Sequence, residues 1–326
     1  MWVRRAAAIV AVATATTLLG ACTTTPDAAP VEVEPCLGSV EFCGLSLTEV
    51  GLLGAHQAAA SAASGGWVTP WTNLTITQLL DRQVRAFHLQ LRSGIPYRNG
   101  VLTDPEAPPP PAPVPALRPT LEQARQQLLG TNPTGSADVY VCDGWCELGA
   151  VPLESVLREL NAWFVENPRE IVVLDLEDYV PAADVAEAFR VSRLGERVIP
   201  GSVSATADVA ELLDSGQVLV SHRYPSTADP TWYRSDVLRR SAPLPAGGGT
   251  GACRAVGDEP MLALEHWVAG RPPELVDGVA NNEQSVLAGR ISTCRREADQ
   301  LPSLLMLSFA EVGDGARALA QVRNAG

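Results

Sequence analysis

Seven side chains that can accept or donate a proton lie at or near the ends of stretches predicted to be β-strands. Four are histidines and three are carboxylic acids: His56, His88, His222, His266, Asp143, Glu177 and Glu265. An imidazole titrates near neutral pH, and a carboxyl group does so when its surroundings raise its pKa. If the strands run parallel, their carboxyl ends meet at one rim, and these groups there predict general acid–base chemistry.

The most informative stretch is 50–57, in which a short apolar run ends in glycine and alanine and is followed by His56 and Gln57. This pattern predicts a buried strand that delivers the imidazole to a bend in the backbone. Two interpretations are open. The imidazole either performs chemistry or is a core histidine that is hydrogen-bonded at the end of a strand.

Apolar strands alternate with amphipathic helices along most of the chain, which is typical of a parallel α/β architecture. The expected strands lie at 47–56, 84–91, 139–141, 171–176, 217–221, 260–264 and 303–307. The expected helices lie at 75–81, 121–129, 153–164, 183–189, 209–213, 281–299 and 314–322. Six or seven strands suit a distorted TIM (β/α) barrel. We expect it to fill a single domain over 46–326, with a proline-rich surface insertion at 103–119.

The composition excludes several classes of function. The net charge of −13 disfavours nucleic acid as a partner and electrostatic attraction to an anionic membrane. All 24 basic residues are arginines, so chemistry that needs a lysine is excluded. No GxGxxG, P-loop or GxSxG motif stands at a predicted strand–helix junction, which removes the main support for nucleotide binding and serine hydrolysis.

The N-terminal stretch is predicted to be a signal peptide over 1–21, with two arginines before an apolar core that is too short to span a membrane. Its end at 19–22 resembles the lipobox of bacterial lipoproteins, which implies acylation of Cys22. We therefore expect an exported protein whose acyl anchor holds it on the outer face of the cell membrane, with 22–45 as lipidated tether and N-terminal segment. The alternative is an ordinary cleaved signal with an incidental cysteine.

Six further cysteines are expected to form disulfides, because an even number in an exported chain is typical of a disulfide framework. Their spacing favours the pairs Cys36–Cys43 and Cys142–Cys146, which leaves Cys253–Cys294. A zinc site is the weaker alternative, since no CxxC motif is present and no histidine is close to a cysteine in sequence.

Six blocks of the sequence resemble, in order, the motifs of the phosphatidylinositol-specific phospholipase C X-domain-like phosphodiesterases, in the branch that carries paired cysteines. The blocks lie at 54–57, 75–91, 141–146, 167–172, 176–180 and 308–314. The first is Gly-Ala-His-Gln, and the fourth and fifth begin Asn-Pro-Arg-Glu and Leu-Glu-Asp-Tyr. The resemblance extends over roughly residues 36 to 326.

This resemblance implies a distorted TIM barrel that cleaves phosphodiesters with inositol or glycerol head groups. In that family, one histidine takes a proton from a sugar hydroxyl, the hydroxyl attacks phosphorus, and a second histidine protonates the leaving alkoxide. An arginine, or a calcium ion held by carboxylates, neutralises the phosphate. The implied partner is therefore a phospholipid or inositol phosphodiester head group, and Ca²⁺ is the cofactor that the resemblance suggests.

The chain departs from the family pattern at several site positions. His56 matches the first catalytic histidine, whereas Asp143 stands where the family has the second. Gln57 replaces an Asn or Asp, and Gln90 and Ser308 replace acids. Because hard divalent cations bind carboxylate oxygens, these replacements remove most of the ligands for Ca²⁺, and no metal ligand is assigned.

Three hypotheses remain for the function. The first is a weakly active phosphodiesterase in which His56 is the base and Asp143, His88 or His222 is the acid. The second is a catalytically degenerate barrel that binds a phospholipid head group or an envelope partner, and the third is a structural lipoprotein of the cell envelope. Besides His56, Asp143 and His88, six side chains are expected at the pocket: Gln57, Gln90, Glu177, His222, Glu265 and Ser308.

Overall fold

The computed structural model describes residues 34–129, 135–223, 232–247, 249, 251–253, 255 and 257–325. These residues form one compact unit. The expected signal peptide, the lipidation site Cys22 and the tether as far as residue 33 lie outside the described residues. Within the described ranges, none of the helices combines the length and the apolar character that a membrane span requires.

The described residues form ten strands and nine α-helices. The strands are β1 (Leu52–Ala55), β2 (Val84–Tyr97), β3 (Gly100–Thr103), β4 (Asp138–Cys142), β5 (Ala150–Pro152), β6 (Val172–Asp178), β7 (Val218–His222), β8 (Leu238–Arg240), β9 (Met261–His266) and β10 (Leu304–Leu307). The helices are α1 (Leu47–Val50), α2 (Ile76–Leu80), α3 (Arg118–Leu129), α4 (Leu153–Glu166), α5 (Ala182–Val191), α6 (Val209–Ser215), α7 (Leu275–Asn281), α8 (Gln284–Ala298) and α9 (Gly315–Asn324). Short 3₁₀ turns lie at Val40–Gly44, Pro115–Leu117, Cys146–Leu148 and Leu194–Arg197.

Seven of the strands pair in parallel, in the order β7-β6-β2-β1-β10-β9-β8. The other three extend the sheet by antiparallel pairing, since β3 and β4 pair with the long end of β2 and β5 pairs with β4. The predicted α/β class is confirmed, although the sheet is mixed and not wholly parallel. The sheet is curled but not a closed barrel: in the described part of the chain no ladder joins β7 to β8, and only an isolated bridge links Ser221 to Arg234.

The pleat of the parallel strands sorts their side chains into two layers. One cluster of apolar residues fills the inside of the curl: Leu52, Ala86, Val173, Leu219, Met261 and Leu304 are six of its members. The alternate residues face outwards and pack against the helices, as Leu174, Val220 and Leu305 do. Further along the same strands, towards their carboxyl ends, the inward positions become polar and charged.

The first predicted strand is correct only in its second half. Ser46 caps a short helix, α1, through a capping box in which the backbone N–H of Ser46 donates to Glu49 at 2.9 Å. Gly51 then turns the chain with φ +67 into β1. The capping box predicted from Thr75 and Gln78 is confirmed at α2, where Thr75 Oγ1 accepts from the N–H of Gln78.

The cysteines are joined in the three expected pairs. Cys36 bonds to Cys43, Cys142 to Cys146, and Cys253 to Cys294. The second pair closes the turn after β4 that carries Asp143. The third ties the chain segment before β9 to α8.

Candidate active site

A cavity of about 350 Å³ opens at the carboxyl ends of the parallel strands. Its floor is polar and includes six residues: His56, Gln57, Gln90, Asp143, Glu177 and Arg223. Its walls are largely apolar and include Pro111, Pro113, Val114, Leu117, Trp145 and Pro272. The proline-rich stretch is therefore a wall of the cavity, while its two ends belong to β3 and α3.

His56 follows β1 directly, and its backbone N–H donates to the carbonyl of Leu307 on β10. The imidazole is 6% exposed and lies between two rings, with centroids 4.4 Å from His88 and 4.1 Å from Trp267. Its Nδ1 is buried 3.8 Å from Glu265, so Nε2 is the nitrogen that a ligand in the cavity meets. Burial, followed by the nearby His88 and Arg223, lowers the pKa of His56 well below its usual value.

His88 lies inside β2 and shares its inward face with Gln90, as alternation predicts. Its Nε2 is 3.2 Å from Glu177 Oε2, and Gln90 donates to Glu177 Oε1 at 2.9 Å. Gln90 also accepts the N–H of Gly144 in the turn after β4. His88 is thus bonded to Glu177 in the floor through Nε2, and it stacks beside His56 rather than facing it across the cavity.

Arg223, the residue after β7, is the cation of the floor. Its guanidinium lies 3.1 Å from Asp175, 3.2 Å from Glu177 and 3.9 Å from Glu265. Burial alone lowers the pKa of this arginine, but the three carboxylates raise it above its ordinary value. Burial raises the pKa values of Asp175 and Glu177, but neighbouring groups outweigh burial and hold both pKa values well below their usual range. These groups are Arg223 and Arg240 for Asp175, and the His88 hydrogen bond and Arg223 for Glu177.

Asp143 lies in the turn after β4, where Trp71 and Gln57 donate hydrogen bonds to its carboxyl group. Trp71 Nε1 donates to Oδ2 at 2.7 Å, and Gln57 Nε2 donates to Oδ1 at 3.4 Å. Gln57 occupies the left-handed region at φ +49, which turns the chain after His56. Burial raises the pKa of Asp143 above its usual value.

Glu265 and Ser308 lie beneath the floor, among the buried polar residues of the sheet. Glu265 on β9 accepts from Trp267 Nε1 at 2.5 Å and approaches both His56 and Arg223. Burial raises its pKa. The backbone carbonyl of Ser308 accepts from Asn282, which ties the end of β10 to the residue after α7.

Two of the predicted site histidines lie on the other side of the sheet, which corrects their expected place at the mouth. His222 stacks on Tyr233 at 3.9 Å, and its Nδ1 is 3.7 Å from Asp178. His266 instead packs towards α7 and α8, with Nε2 3.0 Å from the carbonyl of Asn281. The physical reason is the alternation of a strand: the neighbours Arg223 and Glu265 take the inward positions, so the histidines next to them face outwards.

Sequence reasoning missed several members of the site. Asp175 precedes Glu177 by two residues on β6 and faces the same way, so alternation was a usable signal. Arg223 follows His222 just beyond the predicted strand, where no pattern marked it as a site residue. Trp71 and Trp267 lie in loops, and no local pattern predicts that two indoles enclose one imidazole.

The carboxylates of the floor do not fit a calcium site. The arginines Arg223 and Arg240 already neutralise Asp175, and Arg223 also pairs with Glu177. Among the described residues, no group of three or more potential ligands is arranged to hold a metal ion. The cation that faces a ligand in this cavity is therefore a guanidinium.

Comparison with known proteins finds no family model that matches and no similar curated sequence. Solved structures that align with the chain include two of phosphatidylinositol-specific phospholipase C from Staphylococcus aureus. One contains a pentafluorophenylalanine and aligns with TM-score 0.48 and 11% identity over 85% of this chain and 93% of that chain. The other is a double mutant, with TM-score 0.47 and 12% identity over 85% and 92%. Alignments at this level do not assign an activity.

Proposed function

We propose that the cavity binds the phosphate of a phosphodiester and cleaves it slowly, with His56 as general base and Asp143 as general acid. The observation that carries the proposal is that both groups line one cavity and contact the same indole. Trp71 lies 4.7 Å from the His56 ring and donates to Asp143. The motif resemblance supports a phosphodiester with an inositol or glycerol head group as the substrate class.

The two environments favour the protonation states that the reaction needs. A lowered pKa keeps His56 neutral and able to accept a proton, and a raised pKa favours the protonated form of Asp143. His56 takes the proton of a substrate hydroxyl, whose oxygen forms a bond to phosphorus. The bond from phosphorus to the leaving oxygen breaks, and that oxygen receives the proton of Asp143.

Arg223 is the group that stabilises the phosphate. It lines the cavity, with Glu177 on one side and Glu265, the neighbour of His56, on the other. It retains its charge at every physiological pH. Because three carboxylates already surround it, its field at the cavity is partly cancelled, and we expect weak binding and slow turnover. A lowered basicity at His56 acts in the same direction.

The test is hydrolysis of a fluorogenic inositol phosphodiester, measured with calcium and with EDTA. We expect slow cleavage that EDTA leaves unchanged and that His56→Ala reduces at least about 100-fold. His222→Phe is the matched control, because this histidine lies on the outer face of the sheet. Cleavage that survives in His56→Ala contradicts the assigned base, and cleavage that EDTA abolishes contradicts the assigned cation.

Binding without turnover is the second candidate, and one observation favours it. Rings cover both faces of His56, so the imidazole cannot rotate to follow a proton between two oxygens. Titration with an inositol phosphate, beside the hydrolysis assay, decides: binding of the inositol phosphate without cleavage of the fluorogenic diester supports a binding protein. If the protein shows neither binding nor cleavage, that result supports a structural lipoprotein of the envelope.

We also infer that the protein is exported and held at the membrane by an acyl group on Cys22. Three disulfides support an oxidising compartment, and the sequence before Cys22 supports lipidation. The expected result is that the protein fractionates with membranes and that Cys22→Ala releases it. Equal membrane association of both proteins contradicts the anchor.

A further inference from the structure

A second cleft, of about 540 Å³, lies on the outer face of β9 and against one side of α8. It shares no lining residue with the first cavity. The buried side chains of His266 and Arg290 line it, and Ser285, Val286 and Gly289 form its exposed edge. The proposed phosphodiester chemistry uses none of these residues.

Arg290 is the unusual member of this cleft, because it is a buried cation that forms no direct ion pair within the described residues. The side chain is 6% exposed, and Nη2 donates to two backbone carbonyls, those of Ala242 at 3.1 Å and Glu265 at 2.8 Å. Its Nε and Nη1 have no acceptor, and among the described residues no carboxylate forms an ion pair with it. Burial lowers the pKa of Arg290 only to about 10, so the guanidinium is charged at neutral pH.

The other titratable groups of the cleft leave this charge in place. Burial lowers the pKa of His266 to about 4, so the imidazole is neutral above that pH. Glu297 lines the cleft from an exposed position, where solvent screens its charge. The Glu265 carboxylate acts on Arg290 only at a distance, without a direct ion pair. A buried charge without a direct ion pair is unfavourable, and an anion bound in the cleft offsets that cost.

The remaining lining selects the kind of anion. Leu244, Ala252, Cys253 and Val286 present carbon and sulfur to the cleft, alongside the polar side chains of Asn281, Ser285 and Thr293. Two glycines border the cleft. A Cβ at Gly251 would lie 2.9 Å from Arg290 Nη2, and a Cβ at Gly289 would enter space with no atom within 4 Å. Such a lining suits a single negative charge on an apolar body better than a fully hydrated inorganic anion.

We infer that this cleft binds an organic monocarboxylate, with the carboxylate towards Arg290 and the apolar body along Leu244 and Val286. The inference is independent of the proposed phosphodiesterase activity, since it concerns the opposite face of β9.

The test is calorimetric titration of the whole chain with hexanoate and, as the uncharged isostere, hexanamide. We expect hexanoate to bind and hexanamide to bind at least about tenfold more weakly, because the charged hydrogen bond is lost. Arg290→Gln should weaken hexanoate by a similar factor and leave hexanamide unchanged. Arg296→Gln, an exposed arginine on the same helix that does not line the cleft, is the matched control and should bind like the wild type.

A second variant keeps the test decisive where Arg290→Gln fails to fold. Gly289→Leu adds a side chain to the edge of the cleft, replaces glycine by a good helix former, and should abolish hexanoate binding. Absence of hexanoate binding to the wild type overturns the inference, as does equal binding of hexanamide or unchanged binding in Gly289→Leu. Inorganic phosphate that binds as tightly as hexanoate overturns the assignment to a carboxylate with an apolar body.

Discussion

At the scale of single residues, charge balance around Arg223 governs the floor of the candidate active site. Asp175 is 1% exposed and Glu265 is 4% exposed, so removal of the guanidinium leaves buried carboxylates with fewer counter-charges. We expect Arg223→Met to lower the free energy of unfolding by about 3–5 kcal/mol at pH 7, as the breaking of buried pairs generally does. Urea unfolding, monitored by circular dichroism, measures this change in the free energy of unfolding.

The pH dependence of that loss identifies its cause. The pKa values of Asp175 and Glu177 are lowered in the folded protein. Their contribution to stability is therefore present above about pH 4, the unfolded value, and is lost as the pH falls towards the folded values. The difference between the wild type and Arg223→Met should be largest at neutral pH and narrow below pH 4. A difference that is constant between pH 7 and pH 3 indicates lost packing instead of lost ion pairs.

The pKa shifts of His56 and Asp143 predict an acidic optimum for cleavage. The base must be unprotonated, so kcat/KM rises as the pH increases through the lowered pKa of His56. The acid must be protonated, so kcat/KM falls as the pH increases through the raised pKa of Asp143. We expect a bell-shaped profile with its maximum below about pH 6.5, the unperturbed histidine value. Asp143→Asn should be slower and should lack the falling limb, whereas an alkaline maximum for the wild type contradicts this assignment.

Single residues were predictable from sequence where a strand pattern ordered them. His88 and Gln90 share the inward face of β2 as expected, and His56 follows its strand as expected. The pairing of Trp71 with Asp143 joins residues 72 positions apart and depends on how two loops meet. Such a contact has no local signature in the sequence, because the folded sheet as a whole, and not a repeating pattern, brings the two residues together.

At the scale of elements, the two faces of each parallel strand separate chemistry from packing. His88 lies on the inward face of β2 beside Glu177, and His222 lies on the outward face of β7 beside Tyr233. Substitution of each by phenylalanine is therefore a matched pair. We expect His88→Phe to reduce the affinity for an inositol phosphate at least about tenfold. Glu177 loses a charge-assisted hydrogen bond, and the balance of charge around Arg223 changes.

His222→Phe should leave that affinity unchanged, because an aromatic ring remains stacked on Tyr233 and no cavity residue is altered. Equilibrium binding measured by fluorescence of the cavity tryptophans reports both variants. Equal losses in the two variants mean that the faces are coupled, and no loss in either means that the ligand does not touch the floor.

At the scale of the whole molecule, the alternation of strands and helices predicted the α/β class, but not the antiparallel strands or the opening of the sheet. The repeat of apolar strands predicts how many strands can lie side by side. Closure depends on whether the last two strands pair, and among the described residues no ladder joins β7 to β8, since the one bridge at Ser221 leads to Arg234, ahead of β8. The helix α1 was also missed, because Leu47 and Val50 are as apolar as the strand that follows and only the cap at Ser46 distinguishes them.

The disulfides stabilise this open sheet to different degrees, since each limits the unfolded chain according to the loop that it closes. Cys253 and Cys294 are 41 residues apart, whereas the other two pairs are 7 and 4 residues apart. Loop entropy predicts that loss of the long bridge costs about 4 kcal/mol and loss of either short bridge about 2 kcal/mol. Double alanine variants of each pair, compared by urea unfolding under non-reducing conditions, measure these costs. Equal costs for the long and short bridges would show that native contacts around the sulfurs, and not chain entropy, set their contribution.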